Sequence, residues 1–191
     1  MATKEDIITL PHKNLRKKST RVGLISEDIK KIILDMQEAT IDWENSRKHE
    51  VGVALAAVQI NVMMRVVIVR ENIDDKENHR FKVFINPEIA KLEGDLVEDY
   101  EGCLSIKDVY GLVPRYDKVK VKALGLDGKE FRVTVNGFLA RVMQHEIDHT
   151  KGTVFIDHIK HNPDAFFKLG DDGKLTELDY EKDVKNSKTL W

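Results

Sequence analysis

Cysteine occurs once in the 191 residues, at Cys103. An intramolecular disulfide is therefore excluded, as are zinc sites built on two or four thiolates, and a reducing compartment is expected. No apolar run approaches the roughly 20 residues that a membrane span needs. The amino-terminal MATKEDIITL carries acidic residues early and has no apolar stretch of the signal-peptide kind. Charge of either sign is nearly balanced, at a formal −2, so there is no basic excess of the sort that neutralises phosphates. Internal repeats and low-complexity linkers are absent too. These absences point to a cytoplasmic chain with no membrane partner and no specific nucleic-acid partner. A transient ribosome contact is compatible with them.

Hydrophobic residues make up 41% and charged residues 34% of the chain, which fits one soluble globular domain across residues 1–191. From about residue 160 the composition turns polar, and LGDDGKLTELDYEKDVKNSKTLW reads as an added hairpin or a partly ordered tail. Nearer the start, SEDIKKIILDMQEATIDW predicts a helix capped by Ser26, with Glu27 and Asp28 at its positive end. Its core stripe is Ile29, Ile32, Ile33, Met36 and Trp43. RVVIVRE predicts a buried strand, and FKVFINPEI a second that stops at Pro87, which cannot donate to a ladder. KVKVKAL alternates charged and apolar residues, GLDG turns, and FRVTV returns as its partner. Asn136 and Gly137 open a late helix that Gly152 stops. Strands first and a central helix late predict an α+β fold, with antiparallel or mixed sheets packed around that helix.

The late helix carries QHEIDH, which contains H-E-x-x-H. Positions i and i+4 share a helix face, so His145 and His149 can offer two imidazoles to one metal ion. Glu146 sits about 100° around the helix and can reach a water beside the ion. Phe138 and Val142 share the histidine stripe. A protease of the metzincin type needs a third histidine where this chain has Phe155, an apolar ring that binds no metal. Other zincins use a later glutamate, for which Glu177 and Glu181 stand in a polar segment. The remaining donor is Cys103. A lone cysteine is ordinarily a small buried hydrophobe, but here Gly102 and Glu101 precede it. One thiolate and two imidazoles leave a fourth position for water, the layout of a catalytic site for Zn²⁺ or Fe²⁺.

Three segments together resemble the peptide deformylases. They are EGCLS at Glu101–Ser105, QHEIDH at Gln144–His149, and GVALAAVQ at Gly52–Gln59, where Ala54 stands in place of the family's second glycine. The segment ENSRKHE and the C-terminal tail resemble most the longer bacterial subclass called type 2. The resemblance implies removal of the formyl group from the N-terminal formylmethionine of nascent polypeptides. Cys103, His145 and His149 would hold one divalent ion, Fe²⁺ physiologically, with Zn²⁺, Ni²⁺ or Co²⁺ able to substitute. Glu146 would act as base and then acid. The Gln59 side chain and the Leu104 backbone N–H would face the developing oxyanion. The substrate would lie extended along Gly52, Val53 and Ala54, beside Gly102, with its methionine side chain toward Val53, Leu139, Val142 and Met143. A zincin-like metalloprotease and a non-catalytic metal-binding homologue are the alternative readings.

Overall fold

The computed structural model describes every residue except 74 and 76. A 19-residue helix, α1 (Glu27–Asn45), precedes a short strand, β1 (Ala54–Ala56), and then β2 (Val66–Arg70). Two long strands follow, β3 (Phe81–Cys103) and β4 (Ile106–Leu124), then β5 (Glu130–Asn136). The second helix, α2 (Gly137–Lys151), leads to a single turn, α3 (Phe155–His158), and a hairpin of β6 (Phe166–Leu169) and β7 (Leu175–Glu177). Among the described residues these seven strands form one hydrogen-bonded system in the order β1-β2-β3-β4-β6-β7, with β5 also on β4. The pairings are antiparallel. The fold is α+β, as expected. Among the described residues no helix is long and apolar enough to cross a membrane.

Period-two alternation explains why β2 reads as an unbroken apolar run. Val66 and Ile68 face the cluster around α1, with Ile29, Ile33 and Met36. Val67 and Val69 point the other way, to Ala140, Met143 and Ile147 of α2. A strand between two helices is buried on both faces and has no polar side. The helix stripe is also as expected: Ile29, Ile33, Met36 and Trp43 are buried, and Ile32 is packed against them. Ser26 holds the N-cap position, but its side chain makes no capping bond. Its backbone carbonyl accepts from Lys30 N instead.

The strand at FKVFINPEI does not stop at Pro87. Between Ile85, opposite Leu124, and Glu88, opposite Lys122, β3 carries one more residue than β4. Proline is tolerated at such a bulge because no ladder bond is needed there. Asn86 makes the bend with a left-handed φ of 52°. Its buried amide exchanges two hydrogen bonds with the Val22 backbone, at 2.8 and 2.9 Å. The bend frees β3 from β2 and sends it on for another 16 residues with β4, up to Cys103.

At the far end, Gly152 takes the left-handed φ of 78° that closes α2. A Cβ there would lie 2.7 Å from the Arg16 backbone, so glycine is needed for both shape and approach.

Asn86→Ala removes both bonds to Val22 and places alanine in a left-handed conformation. A loss of roughly 2–3 kcal/mol is expected in urea unfolding, with the m-value unchanged. A loss below about 0.5 kcal/mol would show that the amide contributes nothing net at the bend.

Candidate active site

The end of β3 and the face of α2 bring Cys103, His145 and His149 together. Their candidate ligand atoms all lie within 4.8 Å of one another. Cys103 Sγ is 3.3 Å from His149 Nε2. The two imidazole rings, one helical turn apart, are 4.9 Å between centroids. No other group of this kind occurs among the described residues. Phe155 is buried and lies nearly parallel to the His145 ring at 6.0 Å, so the position of the metzincin's third histidine carries a packing ring here. Glu177 and Glu181 are exposed on the C-terminal segment.

Each letter of QHEIDH has a physical role. Gln144 accepts from Tyr116 N and donates to Tyr116 O, which pins α2 to β4. Ile147 is in the core, and Asp148 is ion-paired with Arg115. His145 Nδ1 lies 2.9 Å from Glu101 Oε2, a contact that orients the ring and, with an ion bound, would hold a proton at Nδ1 and give Nε2 to the metal. His149 is fully buried, and its Nδ1 has no hydrogen-bond partner among the described residues. Glu146 is also buried, and its Oε2 is unpartnered among the described residues.

Glu101 anchors this arrangement. Arg115 grips both of its oxygens, at 2.9 and 3.1 Å, and Arg141 donates to Oε1 at 2.9 Å. Burial opposes ionisation of Glu101, but the hydrogen bonds from His145 and Arg115 overcome it and hold the carboxyl well below the usual range. Burial likewise works against a charged His145, yet Cys103 and Glu101 keep its pKa well above the ordinary value. For Glu146 burial dominates and pushes the carboxyl up to about 7. His149, desolvated and beside His145, is held well below the imidazole range.

A cavity of about 200 Å³ opens over Cys103 and His145. Its lining includes Gln59, Leu104, Glu146, Cys103, His145, Gly102, Val53, Ala54 and Val142, all expected from sequence. Gln59 Nε2 points to Cys103 Sγ at 3.6 Å and Ser105 Oγ at 3.2 Å, and its Oε1 accepts from Ala56 N. A Cβ at Gly102 would lie 2.7 Å from the Tyr110 ring, which would have to shift to admit it.

Three residues expected at the substrate do not line this cavity. Gly52 packs on α1, where a Cβ would meet Thr40 at 2.6 Å, and its N–H donates to Glu44. Met143 belongs to the core, and Leu139 is on the surface. The lining gains Trp43, Glu50, Tyr100, Tyr110, Phe138 and Arg141. The helical stripes already carried Trp43 and Phe138. Arg141, four residues before His145, could have been read from the same spacing. Ala54 is nearly fully buried, and its methyl packs with Val69 and Val142.

Glu101→Ala leaves Arg115 and Arg141 buried beside a missing carboxylate. Unfolding by denaturant is expected to show a loss of about 3–5 kcal/mol. A loss under about 1 kcal/mol would mean that Asp148 and the backbone carbonyls suffice for both guanidinium groups.

Comparison with known proteins agrees with the geometry. The family model described as polypeptide deformylase matches residues 4–164. A peptide deformylase of Thermomicrobium roseum is 41% identical over 157 residues, covering 81% of this chain and 85% of the relative. Peptide deformylase 1 of Clostridium perfringens is 41% identical over 144 residues, covering 75% and 90%. Among solved structures, a peptide deformylase from Legionella pneumophila superposes with a TM-score of 0.72 at 39% identity, covering 83% of this chain and 86% of that one. One from Synechococcus elongatus in complex with actinonin gives 0.74 at 31% identity, covering 82% and 80%.

Proposed function

We propose, for a chain that belongs to the polypeptide deformylase family, that it is the hydrolase removing the formyl group from N-terminal formylmethionine. The observation that carries this reading is the cluster of Cys103, His145 and His149 donors beside the unpartnered carboxylate oxygen of Glu146. One thiolate and two imidazoles suit a divalent ion, and the Glu101 contact to His145 supplies the outer support such sites use. When bound, that ion supplies Lewis-acid polarisation and lowers the pKa of water. Fe²⁺ is the ion we assign, with Zn²⁺, Ni²⁺ and Co²⁺ as substitutes.

The remaining work falls to the chain itself. Glu146 takes a proton from the attacking water and returns it to the departing nitrogen, so that the formyl C–N bond is replaced by formate and a free amine. Gln59 Nε2 and the Leu104 backbone N–H donate to the oxyanion that develops in between. The peptide lies extended along Val53 and Ala54, on the outer edge of β1. Its first side chain enters the cavity toward Val142. The protein acts on nascent chains in the cytoplasm, during synthesis and with at most transient ribosome contact. The segment from about residue 160 is an extension of one catalytic domain.

The test is formate release from a formylmethionyl peptide under anaerobic conditions, with metal analysis of the same sample. Activity together with about one ion per chain is expected; neither on repeated preparation would overturn the reading. Cys103→Ala should lose most of its metal while remaining folded. Full metal content and normal activity in that variant would revive the protease alternative. Glu146→Gln preserves shape but cannot shuttle the proton. Its kcat should fall by ~10²–10⁴-fold with metal content unchanged. Near-normal turnover would remove Glu146 from the mechanism, and loss of metal would make it a ligand.

A further inference from the structure

Arg141 is an odd lining for a pocket meant to take an apolar side chain. It lies one helical turn before His145 and is only 6% exposed. It lines the active-site cavity together with the apolar Val53, Phe138 and Val142. A smaller cavity of about 100 Å³ lies against β3 and β4, and Phe138 and Arg141 line that one as well. These two residues are therefore shared between the cavities.

The guanidinium group is held firmly in that position. Nη1 donates to Glu101 Oε1 at 2.9 Å and to the Val113 carbonyl at 2.6 Å. Nη2 donates to the Val97 carbonyl at 2.7 Å. These bonds occupy three of the five N–H groups that an arginine carries. The other two make no hydrogen bond among the described residues.

We infer that Arg141 is a specificity-determining end wall of the side-chain pocket, presenting N–H donors to the tip of the substrate's first side chain. This rests on the deformylase reading. An unbranched apolar stem that ends near an acceptor atom then fits better than an all-carbon one of equal length. A thioether sulfur is a weak acceptor, and a sulfoxide oxygen is a strong one. The pocket therefore accepts peptides that begin with formylmethionine sulfoxide as well as formylmethionine, and it disfavours formylnorleucine.

The experiment compares kcat/KM for peptides beginning with formylmethionine, formylmethionine sulfoxide and formylnorleucine, in the wild type and in Arg141→Met. The substitution keeps an unbranched apolar stem and removes every donor. In the wild type the sulfoxide peptide should be turned over at least as well as the norleucine peptide. In Arg141→Met that ratio should fall about tenfold to a hundredfold, the size expected for a hydrogen bond from a charged donor. An unchanged ratio would overturn the inference. Should Arg141→Met fail to fold, the wild type decides alone, since a sulfoxide peptide at least tenfold poorer than norleucine overturns the inference as well. Failure to turn over formylmethionine itself would sink the deformylase reading, whereas turnover without sulfoxide selectivity sinks only the role of Arg141.

Discussion

The site depends on one buried carboxylate. Glu101 receives Arg115 and Arg141 and holds the Nδ1 side of His145, so it joins β3, β4 and α2 at a single point. Taking a carboxylate and two guanidinium groups out of water costs several kcal/mol per ion, and the attraction between them repays it only with good geometry and full hydrogen bonding. Here the geometry is good. Both Glu101 oxygens are used by Arg115, and Asp148 balances the second positive charge. The same network fixes the orientation of the imidazole whose other nitrogen would bind the ion. A hydrophobic triad in its place would pack as well, but it would leave His145 free to rotate.

The long strands serve that point. β3 begins in the core beside β2 and ends at Cys103, and it can do both only because the Asn86–Pro87 bulge turns it out of one pairing into another. Its continuation with β4 brings the thiol within 3.3 Å of His149 Nε2 on a helix 46 positions later. The proline that looked like a terminator is part of the device that carries the strand on to the site.

How much of this the sequence disclosed follows from the range of the interactions. H-E-x-x-H was legible because helical geometry converts a spacing of four into a shared face, and the alternation in KVKVKAL was legible for the same local reason. Cys103 stood out through its neighbours and its solitude. The outer network was not legible. Glu101 meets partners 14, 40 and 44 positions away, and no periodicity relates them. The packing of Gly52 was not legible for a similar reason. In a sequence a glycine announces close approach but not to what, and here the neighbour is Thr40 of α1.

Ala54 shows how one residue is read differently once its surroundings are known. As a letter it is a methyl where the resemblance implies none, and so an obstacle to an extended peptide. In the fold it lies in a strand between the cavity and the α2 cluster, paired with Val69 and packed against Val142. Side chains alternate along a strand while the backbone stays at its edge. A methyl that points into the cluster occupies core volume and leaves the edge amides open to a ligand strand. The departure then concerns the shape of the side-chain pocket more than the backbone track. Val142 and Arg141 belong to the helical side of that pocket, and the departure at Ala54 therefore falls on the cavity that the buried Arg141 also lines.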